Sequence, residues 1–176
     1  MRLFIALILP DETLDAVAET ADALHRRVRG RFMLPDTYHM TLAFIGEADE
    51  RVAAMAEGAL DRACRDADPI VLRPNGLGKF GPTGSATLWV GFDKAGAQAA
   101  CDLAERIRRE LTEADVPFDA KPFKAHVTIA RKVDLRSAQL PQLGYFPAAR
   151  VRTAALFESE LSQEGARYRI LHEVEL

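Results

Sequence analysis

The chain has 176 residues, 48% of them hydrophobic and 28% charged, which is enough for one domain or two closely packed lobes and excludes long disordered tracts. A formal net charge of −3 at pH 7 is the wrong sign for a protein that coats nucleic acid by neutralising phosphates, so any contact with RNA has to be local. The two cysteines, Cys64 and Cys101, are far apart and lack CxxC spacing; they suggest neither a disulfide framework nor a zinc site, and they fit a reducing compartment. The opening "MRLFIALILP" has a brief apolar run over residues 3–9. Pro10, Asp11 and Glu12 follow it, not a small-residue cleavage site, so it reads as a first strand and not a signal peptide. No run approaches the roughly 18 apolar residues of a membrane span, and a cytoplasmic location is expected.

After the first strand, "DETLDAVAETADALHRRVRG" puts Leu14, Val17, Ala21, Leu24 and Val28 at helical spacing, with acids at its start and arginines at its end; the helix is expected to stop at Gly30. "HMTLAFIG" reads as a strand that places His39 and Thr41 on one face and Tyr38, Met40, Leu42 and Phe44 on the other. A helix is expected over about residues 49–66, then a short strand at "IVLRP", then turn sequence at "NGLGKFGPTG". From Ala86 the order recurs, with strand "ATLWVGF", helix "KAGAQAACDLAERIRRELTEADV" and strand "FKAHVTIAR". In that last strand His126 and Thr128 share a face with Lys124 and Ala130. An offset of 85 residues aligns Trp89 with Phe4, and one of 87 aligns His126 with His39, so the strand-helix-strand unit occurs twice in nearly one phase. The second copy is followed by the less helical "DLRSAQLPQLGYFP", and the chain closes with two antiparallel strands around "SQEG".

A lone histidine beside a threonine is more often an ordinary hydrogen-bonded residue than a catalytic one. Two such pairs in equivalent places of an internal repeat are a different matter. If the halves pack about a pseudo-twofold axis, His39 and His126 face each other across a cleft, where one can be neutral and the other protonated near pH 7, removing one proton and donating another. Thr41 and Thr128 could then hold phosphate oxygens between them, an arrangement suited to in-line opening of a strained cyclic phosphodiester without a metal. A metal site is the rival, but no third ligand stands at motif spacing and threonine is a poor zinc ligand. Ser85, Ser159 and Ser162 are not in nucleophile-elbow contexts, so a serine hydrolase is not supported.

These features resemble the 2H phosphoesterase superfamily, named for two HxT motifs, and within it the RNA 2',3'-cyclic phosphodiesterases also called 2'-5' RNA ligases. The resemblance spans "RLFIAL", "HMTLAFIG", "LWVGF", "FKAHVTIAR" and "LFESELSQEGARYRIL", nearly the whole chain. It implies an α+β, bilobal fold, a single domain over residues 1–176 whose second repeat begins near residue 85, with two antiparallel sheets flanking a central cleft. It also implies hydrolysis of a terminal 2',3'-cyclic phosphate to a 2'-phosphate, with His39 as proton donor, His126 as proton acceptor, and Thr41 and Thr128 on the phosphate. Ala125 and Ile129 stand where relatives often carry proline and leucine, and neither departure touches the polar face. The substrates implied are RNA ends or small nucleotides, with no cofactor and no metal, and no obligate protein partner; a monomer is expected. A ligase joining RNA halves and a nucleotide-binding module without turnover remain the alternatives.

Around the second motif, Arg131 and Lys132 follow it and Lys121 and Lys124 precede it, so the strand could carry positive charge to the substrate, although Arg131 falls on the opposite parity from His126. "HRRVRGR", which ends at Arg31, reads as basic residues favoured at a helix C-terminus. Phe80 and Tyr38 are aromatic candidates for stacking on a base, with core packing favoured for Tyr38 by parity. His25 and His172 lack a threonine neighbour and are assigned no chemistry.

Overall fold

The apolar runs of the sequence become sheet strands sandwiched between helices on one side and an aromatic-lined cleft on the other. The computed structural model describes residues 1–162 and 165–176, with the side chains at 161 and 162 also left out of the description. The elements in chain order are β1 (Arg2–Ile8), α1 (Asp11–His25), β2 (Arg31–Phe32), β3 (Met40–Glu47), α2 (Glu50–Cys64), β4 (Ile70–Leu72), β5 (Pro74–Phe80), β6 (Ala86–Phe92), α3 (Lys94–Glu113), β7 (Val127–Val133), β8 (Ala149–Val151), β9 (Thr153–Ser162) and β10 (Gly165–Glu175). The central residues of the expected "SQEG" turn lie outside the described residues.

Two four-stranded sheets form, in the orders β10-β9-β1-β3 and β2-β7-β6-β5, with β4 and β8 making a small separate pair. Every pairing among the described residues is antiparallel. The repeat is visible in this order: β1 and β3 of the first copy neighbour each other in one sheet as β6 and β7 of the second do in the other. The helices cross over. Helix α1 packs against β5 and β7 of the second sheet, while α3 packs against β3 of the first and against α2. The core between them includes Leu3, Ile5 and Leu7 of β1, Met40 and Leu42 of β3, Leu88 and Val90 of β6, Val127 and Ile129 of β7, and Ile107 and Leu111 of α3, all fully buried. Each large side chain of this kind stabilises the fold by about 1.5–3 kcal/mol relative to exposure. That is what makes the sheets a stiff frame for the groups on their other face.

Four expectations change. Helix α1 stops at His25 and does not run to Gly30, the chain leaving it through a turn at Arg26–Arg27 to reach the short β2. Helix α2 covers Glu50–Cys64, a little shorter than expected, with the Asp49 carboxylate capping it by accepting from the Val52 amide at 2.8 Å. The stretch expected to be turn is strand β5. Its glycines have separate reasons: Gly76 sits at φ +81 where the ladder with β6 shifts register, and Gly78 is bare because the Trp89 ring lies on it. A Cβ at Gly78 would stand 2.0 Å from Trp89 Cζ2, so this glycine marks a close approach within a strand. Finally, His39 and His126 each lie one residue before their strands and not inside them.

Candidate active site

Because each histidine sits at the entrance of its strand, its ring can fold back on the preceding carbonyl. The His39 Nδ1–H donates to the Thr37 carbonyl at 2.7 Å, and the His126 Nδ1–H donates to the Lys124 carbonyl at 2.6 Å. Both carbonyls lie two residues upstream of their histidine, so the repeat extends to hydrogen bonding. A carbonyl can only accept, so Nδ1 keeps its hydrogen in each ring and Nε2 is left to exchange protons.

His39, Thr41, His126, Thr128 and Arg131 all line one cleft of about 630 Å³, together with Arg2, Phe4, Arg31, Phe44 and Tyr168. The two sheets contribute from opposite sides. The five site residues named from the sequence are thus brought together, including Arg131, whose strand parity pointed away. A β-bulge supplies the reason. In the β6–β7 ladder Thr128 pairs with Trp89 and Ala130 with Leu88, so Ile129 is passed over and the alternation of faces restarts, turning Arg131 to the side of His126 and Thr128. The first copy does the same. Thr41 pairs with Ala6 and Ala43 with Ile5, Leu42 is passed over, and Phe44 turns to the cleft beside His39 and Thr41, correcting the alternation expected for Phe44. Lys132, with φ +53, follows Arg131 and does not line this cleft.

Aromatic rings enclose both histidines. His39 lies 4.8 Å from Phe4 and meets Tyr168 edge-on at 5.0 Å; His126 meets Phe80 edge-on at 5.0 Å and Trp89 at 6.0 Å. Phe4 and Trp89 hold equivalent places in the repeat. Burial among these rings drives the His39 pKa down to about 4, opposed by its hydrogen bond to Thr37 and reinforced by the charges of His126 and Arg131. His126 is lowered for the same first reason, opposed by its bond to Lys124 and aided by Arg131 and Lys124. Both imidazoles therefore favour the neutral form. Lys124 places its ammonium over the Trp89 ring at 5.0 Å and lines a small adjoining pocket with Arg108, Lys121 and His126.

Tyr38 is buried in the core as parity indicated, and Phe80, 40% exposed, meets the His126 ring but does not line the cleft. His172 pairs with Asp61 at 2.7 Å and His25 stacks on Phe32; neither lines the cleft. The sequence reading missed Arg2, Phe4, Arg31 and Tyr168. Arg2 and Phe4 could have been found, since they alternate with core residues on the regular strand β1, whereas Tyr168 arrives from β10, far along the chain. Among the described residues no three His, Cys, Asp or Glu side chains gather into a set that could hold a metal ion, and no helix is long and apolar enough to cross a membrane.

Comparison with known proteins places this geometry. The family model described as "2'-5' RNA ligase superfamily" matches residues 10–160. A Thermus thermophilus protein named RNA 2',3'-cyclic phosphodiesterase is 33% identical, with 100% of this chain and 90% of that protein covered. An Aquifex aeolicus protein of the same name is 27% identical over 98% of this chain and 96% of its own. Among solved structures, TT0787 of Thermus thermophilus superposes with a TM-score of 0.85 at 30% identity, covering 100% of this chain and 98% of that one. Escherichia coli LigT complexed with 3'-AMP gives the same TM-score at 22% identity, covering 99% and 97%, a likeness of fold. The duplicated histidine-threonine strands and these matches together show that this chain belongs to the 2'-5' RNA ligase superfamily, the 2H phosphoesterases.

Proposed function

We propose that the protein is an RNA 2',3'-cyclic phosphodiesterase that opens a terminal 2',3'-cyclic phosphate to a 2'-phosphate by paired-histidine catalysis without a metal ion. The observation that carries this reading is the pair of histidines lining one cleft, each with its Nδ1–H committed to the carbonyl two residues before it so that Nε2 is left for proton exchange. In the reaction, His126 Nε2 takes a proton from water as its oxygen bonds to phosphorus, the P–O3' bond breaks, and protonated His39 gives its Nε2 proton to the departing O3'. Thr41 and Thr128 hydroxyls and the Arg131 guanidinium stabilise the charge that builds on the phosphoryl oxygens. Donation by His39 requires an imidazolium that burial disfavours, and the bound phosphate anion supplies the compensating attraction. The names carried by the relatives from Thermus thermophilus and Aquifex aeolicus support the substrate class.

The decisive experiment is hydrolysis of a nucleoside 2',3'-cyclic phosphate in EDTA by wild type, His39→Ala and His126→Ala, with the phosphate position in the product determined. Wild type should yield the 2'-phosphate, and each folded variant should lose at least about 10²-fold in kcat. Loss of wild-type activity in EDTA, restored by a metal, would reject the metal-free mechanism. The same pair could also activate a 5'-hydroxyl in place of water, His126 taking its proton as O5' bonds to phosphorus and His39 protonating O3' as the P–O3' bond breaks, which is 2'-5' ligation. Incubating two RNA fragments, one ending in the cyclic phosphate, should then give a longer product.

A further inference from the structure

Three guanidinium groups converge on the cleft from three strands: Arg2 of β1, Arg31 of β2 and Arg131 of β7. Arg31 and Arg131 are directly paired in the β2–β7 ladder, so their side chains leave one face side by side, an arrangement that like charges make unfavourable. Arg2 lies over the Phe44 ring, 5.1 Å from its centroid; stacking of this kind orients the guanidinium plane and leaves its N–H edge available. No carboxylate among the described residues pairs with any of the three. Elsewhere the chain does pair its arginines, as in Arg62 with Glu110, Arg136 with Asp134 and Arg169 with Glu158. The fold therefore concentrates unneutralised cations in the cleft, a field that favours anions.

The charge exceeds what the reaction needs. A cyclic phosphodiester carries one negative charge, and Arg131 with one imidazolium already answers it. Arg2 and Arg31 are left over, and the next anion along an RNA strand is the phosphodiester on the 5' side of the terminal ribose. We propose that Arg2 and Arg31 form a second phosphate site, one nucleotide from the reacting phosphate, which makes the protein prefer the end of an RNA strand to a free nucleoside cyclic phosphate. This rests on the cyclic-phosphodiester reading above. The cleft volume, about 630 Å³, lies in the range that holds a ligand much larger than one phosphate. A 5'-monophosphate on a single nucleotide offers the same chemistry as the internucleotide linkage, and the test separates the two.

The test compares kcat/KM of wild type and the Arg2→Gln/Arg31→Gln double variant on a nucleoside 2',3'-cyclic phosphate, its 5'-phosphorylated form, and a dinucleotide ending in the cyclic phosphate. Wild type is expected to favour the dinucleotide over the nucleoside by about tenfold or more, the scale of charge-assisted hydrogen bonds, and the double variant to bring that ratio towards one. The ratio is taken on one protein sample, so partial misfolding cancels. A wild-type ratio near one, or a ratio kept in the variant, overturns the proposal; a gain for the 5'-phosphorylated nucleotide but none for the dinucleotide overturns it in favour of a mononucleotide site. Calorimetric titration with the matching 2'-phosphates separates the two readings. If no cyclic phosphate is hydrolysed, the activity fails, while tighter binding of the dinucleotide 2'-phosphate, lost in the variant, still upholds the second site and equal binding rejects it.

Discussion

An imidazole whose Nδ1–H is committed to a backbone carbonyl can exchange protons only through Nε2, and at both His39 and His126 the sequence neighbour two positions back provides that carbonyl. The enclosing aromatic rings then set the pH response. Since both pKa values lie below the ordinary imidazole value of about 6.5, the bell-shaped profile of kcat/KM, which reports free-enzyme groups, should be centred below that pH. The profile of kcat should move to higher pH, because bound phosphate favours both charged forms. A kcat/KM optimum above about pH 7 would contradict the burial argument. Stability is linked to the same group. With His39 lowered to about 4, the unfolded chain binds the proton more tightly, so its contribution is present above about pH 6.5 and is lost as the pH falls towards 4, at up to about 1.4 kcal/mol per unit. Urea unfolding at pH 7.5 and at pH 5 should show wild type losing more stability on acidification than His39→Asn; equal losses would place the linkage elsewhere.

At the level of the strand, two β-bulges do what simple alternation cannot, carrying side chains on both sides of the bulge to one face: Thr41 and Phe44 of β3 beside His39 at its entrance, and Thr128 and Arg131 of β7 beside His126 at its entrance. Strand β5 completes the surroundings of His126 by leaving room at Gly78 for Trp89, whose ring meets both Phe80 and His126. Gly78→Ala should therefore displace the indole and destabilise the protein by about 1–3 kcal/mol, the usual cost of overpacking. Trp89 is the single tryptophan of the chain, so its fluorescence reports the change directly; an unaltered emission spectrum with unaltered stability would show that β5 yields without cost. These devices mark where the sequence was legible. The histidines, threonines and duplicated units could be read because a strand entrance with a titratable residue repeats in phase, and the apolar periods of α2 and α3 are those of helices buried on one side. The bulges could not be read, since a passed-over Leu42 or Ile129 looks like any other core residue, and they are what place Phe44 and Arg131. Strand β5 was hidden for a related reason: glycines chosen for a bulge and a close approach look like turn glycines in one dimension.

Across the whole molecule, the crossing of α1 onto the second sheet and α3 onto the first ties the two repeats into one frame, so the histidines from opposite sheets keep a fixed relation. Charge is arranged on the same scale. The chain carries a formal net charge of −3, yet Arg2, Arg31 and Arg131 face the cleft unpaired by any described carboxylate. A polyanion is thus repelled by the molecule as a whole and attracted at one concave place, which favours capture of strand ends over coating of strands. Salt dependence should expose this. For single strands log K falls with log salt by about 0.7 for each phosphate engaged, so an RNA end held at two phosphates gives a slope near about −1.4. For oligonucleotides ending in the cyclic phosphate, the slope of log(kcat/KM) against log salt should reach that value at the dinucleotide and stay there as the strand lengthens. RNA of equal length with an unmodified 3' end should compete weakly. A slope that steepens with every added nucleotide would mean that the strand follows a longer cationic track over the surface, and recognition would then extend beyond the cleft.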